Sequence, residues 1–290
     1  MLAKENAMKK TLIACATALT LVLGGCGQTA DTTAPVKQDA AVEEAGTGVT
    51  VAQIKERGYL LVGASGDYCP LSMREEDGSY WGLDAELAQD LADDLGVELR
   101  FVETTWPTIL DDTVEGKFDL ALCGVSRTDA RLEVALMSDP YLSNGKTVLM
   151  RAEDVGKYTS LDDINKEGVR VMENPGGTNE KLAREWLPNA TITIHEANAE
   201  IPSLIAEGEA DVMITEMCEA GYYASRDPRL AAPLIDQPFS HGEIGALMNA
   251  ESGDLLAYVN DFLAREEKSG RLDDLRNEYV YGDEELDLAA

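Results

Sequence analysis

The stretch GLDAELAQDLADDLG, Gly82 to Gly96, decides the fold. Leu83, Leu87, Leu91 and Leu95 recur every fourth residue with Ala88 and Ala92 beside them, which puts one apolar stripe on a helix that Gly96 ends. Just before it, YLLVGA (Tyr59 to Ala64) is a buried-strand run, and just after it VELRFVE (Val97 to Glu103) reads as a second strand. The alternation continues with FDLALCG, KTVLM, GVRVMEN, a helix from about Thr178 to Trp186, ATITIH, a helix from Ile201 to Glu207, and ADVMIT. A last helical stretch, Asp254 to Tyr279, carries Leu255, Val259, Phe262 and Leu263 on one face. Strand and helix in turn imply an α/β protein whose parallel sheet is covered on both faces.

In such sheets ligands gather at the loops that follow the C-terminal ends of strands. Four loops qualify: SGDYCP, CGVSRTDAR, NPGGTNE and TEMCEA. They fall into two groups about fifty residues apart, which suggests two lobes facing each other across a cleft.

The chain has 290 residues, 44% of them hydrophobic, enough for one or two ordinary cores. Its net charge of −30, from 54 acidic against 24 basic side chains, excludes a nucleic-acid binder, which needs Lys and Arg stripes. An anionic ligand would have to be held by local cations working against the overall field. Near the N-terminus, Lys9 and Lys10 precede an apolar run from Thr11 to Leu23 that is short for a membrane span, and Leu23-Gly24-Gly25-Cys26 closes it. This resembles a lipoprotein signal peptide, which would make Cys26 the lipidated first residue of an extracytoplasmic, membrane-anchored protein. The expected organisation is a signal peptide over residues 1–25, a flexible tether over 26–50, lobe 1 over 51–146, lobe 2 over 147–238, a return to lobe 1 over 239–281 and an acidic tail over 282–290. With Cys15 in the signal, Cys69, Cys123 and Cys218 remain, an odd set without CxxC spacing. One disulfide plus a free thiol stays open. His195 and His241 have no zinc-ligand spacing.

In NPGGTNE, Gly176 and Gly177 allow backbone angles closed to other residues and let a ligand approach closely. Thr178 or Asn179 could cap the following helix, whose free N–H groups suit a carboxylate. No Gly-Lys-Ser/Thr follows, so the loop is not a P-loop. Arg131 has the fork geometry for gripping a carboxylate, and Lys146 is a second local cation. Trp106 and Tyr68 stand at strand ends, where they serve as core packing or as a wall for a ring. Glu219 opens a helix just after a strand; burial would raise its pKa and let it serve as a general acid.

Taken together, GDYCPLS, GLDAELAQDLADDLG, TTWP, KFDLALCGVS, DPYLSNGKT, NPGGTNEK and TEMCEA resemble the type 3 family of bacterial solute-binding proteins, and within it the cyclohexadienyl dehydratase branch. The resemblance implies a two-lobed, type II periplasmic-binding-protein fold and a decarboxylating dehydration of prephenate or arogenate. It implies Glu219 as the general acid, Asn174 and Lys146 as polar catalytic groups, and a substrate-binding set of Arg131, Ser126, Trp106, Tyr68, Thr178, Asn179 and Glu216. It implies no metal or organic cofactor, since aromatisation drives the reaction. Cys123 stands where the family usually has Ser, and Glu216 where it usually has Asp. An amino-acid-binding lipoprotein serving an ABC permease, with the same cleft and no turnover, is the alternative.

Overall fold

The structure, a computed structural model, describes residues 48–281. The expected signal peptide, Cys26, most of the tether and the acidic tail lie outside the described residues. The last tether residues, Gly48 to Thr50, are part of the fold. The Gly48 and Val49 amides donate to Glu251 and Ser252, and Thr50 forms a capping box with Gln53 at the start of the helix Val51–Arg57.

Two five-stranded sheets carry the two lobes. The first runs in the order Glu98–Glu103, Tyr59–Ala64, Leu120–Ala121, Leu247–Asn249, Ala135–Met137. The second runs Thr191–Ile194, Arg170–Glu173, Val212–Glu216, Lys146–Arg151, Leu230–Ala231. In each, three adjacent strands pair parallel, as the strand and helix alternation predicts. The wholly parallel sheet that this alternation implied is not what forms, because Leu247–Asn249 and Lys146–Arg151 enter antiparallel. The reason is connectivity: the chain leaves the first sheet through Leu142–Asn144 and returns through Gly242–Ile244, two segments that pair antiparallel to each other. A strand reached by such a crossing, with no intervening crossover helix, arrives reversed.

The leucine stripe does what its spacing implies. Leu83, Leu87, Leu91 and Leu95 are all buried, against Leu60, Val62, Leu255, Val259 and Phe262. A Leu87→Ala change there would cost about 2–5 kcal/mol. The second lobe packs Val148, Met150, Val171, Ala183, Leu187, Val212 and Ile214 between its sheet and helices. The long C-terminal helix is broken into Gly253–Ser269, Arg271–Arg276 and a π-helical turn Asn277–Tyr281, because Gly270 adopts φ 87°. The helix carrying Arg131 is a single turn, Asp129–Leu132, followed by the strand Ala135–Met137. No described helix is long and apolar enough to cross a membrane.

Candidate active site

The four strand-end loops converge. A cavity of about 310 Å³, mouth included, is lined by Tyr68, Trp106, Ser126 and Arg131 from the first lobe and by Asn174, Thr178, Asn179, Asn198 and Glu216 from the second.

The first-lobe wall is aromatic and cationic. Tyr68 and Trp106 meet edge to face, centroids 5.5 Å apart, and the Trp106 indole donates to Asp67 at 3.0 Å. Arg131 is buried at 7% exposure, and its Nη1 donates to the Ser126 carbonyl at 2.6 Å. Among the described residues no carboxylate lies within ion-pair distance of it, and burial pulls its pKa below the usual guanidinium value. A desolvated cation without a counter-ion at a cavity wall is built to receive an anion.

The second-lobe wall is a polar network centred on Lys146. Its Nζ donates to Thr178 Oγ1 at 2.7 Å and also to Asn179 Oδ1 and Glu216 Oε1. Glu216 further accepts from Tyr68 at 2.8 Å and from Ser126 at 3.2 Å, so both of its oxygens are held. The expectation that Thr178 or Asn179 caps the helix is corrected here. The helix Gly177–Trp186 begins earlier, on Gly176 with no side-chain cap, and the Gly176 amide donates to Glu180 instead. Both side chains are drawn to Lys146. The two glycines are nonetheless required: both have positive φ, and a Cβ on Gly176 would sit 2.8 Å from the Pro107 nitrogen across the cleft. They bring the two lobes together at this point.

Glu219 is fully buried one layer behind the cavity wall, on the first turn of the helix Met217–Arg226. Asn198 Nδ2 donates to its Oε1 at 2.7 Å, and Thr215 Oγ1 meets its Oε2. Burial, reinforced by the nearby Glu216 charge, pushes its pKa up to about 8 against the lowering effect of those two bonds. It is therefore a neutral acid at pH 7. Glu216, three residues away, is ionised: burial alone would raise its pKa, but the Lys146 charge and the bonds from Lys146, Tyr68 and Ser126 outweigh that and lower it. Two carboxyls pushed apart in this way form an acid beside a fixed anion. On the cavity wall the cation is Arg131, while Lys146 and the Glu216 carboxylate are paired with each other.

Two buried groups escaped sequence reasoning. Glu173, fully buried at the end of Arg170–Glu173, accepts from the Ile214 amide at 2.8 Å, and burial pushes its pKa well up. Asn198 sits on a single turn, Asn198–Glu200, with no motif around it to mark it out. Cys69, Cys123 and Cys218 are all buried free thiols, which resolves the question of a disulfide among them.

The fold and the paired lobes define an extracytoplasmic binding-protein architecture, and the chain belongs to the bacterial extracellular solute-binding proteins, family 3, whose pattern matches residues 60–282. The cyclohexadienyl dehydratase of Pseudomonas aeruginosa is 39% identical over 220 residues, covering 76% of this chain and 82% of that protein. Among solved structures, an ancestral amino acid-binding protein described as a precursor of cyclohexadienyl dehydratase superposes with a TM-score of 0.74 at 36% identity, covering 79% of this chain and 99% of its own. An ancestral cyclohexadienyl dehydratase is 49% identical with a TM-score of 0.50, covering 79% and 95%. The two-lobed α/β fold with a cleft is thus the one the family shares.

Proposed function

We propose that the protein is an extracytoplasmic cyclohexadienyl dehydratase that converts prephenate, arogenate or both to phenylpyruvate and phenylalanine. The observation that carries this reading is Glu219: a fully buried carboxyl, its pKa raised by that burial to about 8, behind a cavity whose wall carries the buried Arg131 guanidinium. The 39% identity to the Pseudomonas aeruginosa dehydratase supports it. A lipid on Cys26 would tether the enzyme to the membrane.

The chemistry asks for two things. The ring carboxylate must leave as carbon dioxide, its bonding electrons passing through the ring π system to expel the hydroxyl at the opposite carbon. That hydroxyl must collect a proton to leave as water. In this reading Arg131 and the network of Lys146, Asn174, Thr178 and Asn179 hold the substrate's carboxylates, Tyr68 and Trp106 wall the ring, and Ser126 and Glu216 fix the remaining polar groups. Glu219 supplies the proton and regains it from solvent when product leaves. General acid catalysis of this kind is worth about 10²–10⁴ in rate, and positioning adds more.

Incubating the purified soluble portion with prephenate and following phenylpyruvate absorbance tests the proposal. The alternative is a binding protein of an amino-acid importer, favoured by the likeness to an ancestral amino acid-binding protein and by an ionised Glu216 able to meet an ammonium group. Tight amino-acid binding without turnover would establish that alternative.

A further inference from the structure

Asn198 occupies a position that the roles above leave unassigned. It is 1% exposed, lines the cavity, and joins the two lobes. Both hydrogens of its amide are in use: Nδ2 donates to Glu219 Oε1 at 2.7 Å and, across the cleft, to the Asp67 backbone carbonyl at 3.1 Å. Since both neighbours of the nitrogen are oxygens, the amide orientation is fixed by its surroundings. Its carbonyl oxygen, Oδ1, is buried and has no hydrogen-bond partner among the described residues. A buried acceptor left empty costs free energy, and in a native protein it calls for an explanation. Asn198 thus lines the cavity with one acceptor unused, on the same amide whose nitrogen holds the acid.

We propose that Asn198 reads the leaving hydroxyl of the substrate: Oδ1 accepts the hydroxyl hydrogen, while Nδ2 holds the Glu219 carboxyl beside it. This inference rests on the dehydratase reading. With its hydrogen turned to Asn198, the hydroxyl oxygen presents a lone pair toward the acid, which is the geometry that proton delivery needs. The acid proton moves to that oxygen, the carbon–oxygen bond breaks, and water departs still bonded to Asn198. The grip on Asp67 adds a condition: the amide is locked in this orientation only when the lobes are closed. A ligand without the hydroxyl leaves Oδ1 empty. Sites built to bond a substrate hydroxyl discriminate against analogues that lack one.

The test compares two ligands in a background that cannot turn over. Glu219→Gln preserves the shape of the neutral acid, and its amide can still accept from Asn198 and meet Thr215. In that background, Asn198→Ala should weaken prephenate binding by about three- to tenfold, the loss of one neutral hydrogen bond. Binding of phenylpyruvate, which has no ring hydroxyl, should weaken less, since it loses only the lobe-closing bond to Asp67. Asn198→Leu, which fills the same space without polar atoms, guards against a loosened fold and should give the same split. Equal losses for both ligands would mean a purely structural role, and no loss for either would mean no contact; each overturns the proposal. If the parent chain turns over prephenate or arogenate and the split is absent, the role of Asn198 alone fails. If the parent neither binds nor turns over either compound, the dehydratase reading fails and takes this inference with it.

Discussion

The two lobes each bury an acid, and the contrast between them shows what makes an acid useful. In the first lobe Asp84 is fully buried, accepts from the Gly124 amide and from the Tyr141 hydroxyl at 2.8 Å, and has its pKa raised by desolvation to about 7. In the second lobe Glu219 is just as buried and its pKa is raised to about 8. By titration alone the two are near equals. Their surroundings differ: Asp84 ties the Gly124 loop to Tyr141, while Glu219 is one side chain away from the ligand cavity. A raised pKa records burial, and chemistry requires a path from the proton to a ligand.

The sharpest way to break this contrast is Glu219→Gln. Turnover of prephenate or arogenate should fall by about 10³-fold or more, with substrate affinity changed only slightly. A kcat within tenfold of the parent would remove Glu219 from the reaction. Arg131→Ala comes next: losing a charge-assisted grip should raise KM by about 10- to 100-fold with a smaller effect on kcat. An unchanged KM in steady-state assays would mean that the desolvated guanidinium serves the fold alone.

The pH dependence separates the two acids more finely. Only the protonated form of Glu219 can donate, so kcat should be level below about pH 8 and fall about tenfold per unit above it. Asp84→Asn, which keeps both of its accepted bonds, should leave that alkaline limb in place to within about 0.3 pH unit. A limb that moved with Asp84 would make the first-lobe acid the titrating group. The same shifted carboxyl also acts on stability. Glu219 has a folded pKa above its unfolded value, so its contribution is full below about pH 4.5 and is lost as pH rises toward 8. Glu219→Gln cannot ionise. Its stability relative to the parent should therefore grow by about 1.4 kcal/mol per pH unit between about pH 5 and 8, measured by chemical denaturation. A pH-independent difference would mean that the carboxyl titrates normally.

Much of the architecture was legible because it rests on local patterns. The leucine stripe on Leu83–Leu95 and the strand runs at Tyr59–Ala64 and Arg170–Glu173 formed as their periodicity required. Strand direction was not legible, since apolar runs carry no sign of parallel or antiparallel pairing, and the two crossings at Leu142–Asn144 and Gly242–Ile244 reverse it. At the site, the loops that carry Tyr68, Trp106, Ser126, Arg131, Asn174, Thr178, Asn179 and Glu216 were marked by their places after strands, and the structure brings them to one cavity. The partners of Lys146 were not legible: Thr178, Asn179 and Glu216 reach it from elements 32 to 70 residues away in the chain. Asn198 left no trace, because a single polar residue in HEANAE differs from any loop residue only once Asp67 and Glu219 flank it. The helix-capping expectation for Thr178 failed for a related reason: local propensity lost to a buried lysine that needed oxygen partners.

The account stands on the charge state of one carboxyl. Infrared difference spectroscopy of the parent against Glu219→Gln, scanned from pH 5 to pH 10, observes it directly through the carbonyl stretch of an un-ionised acid. The prediction is a band present at neutral pH in the parent only, disappearing with a midpoint near pH 8. A Glu219 carboxylate already ionised at pH 6 would contradict it.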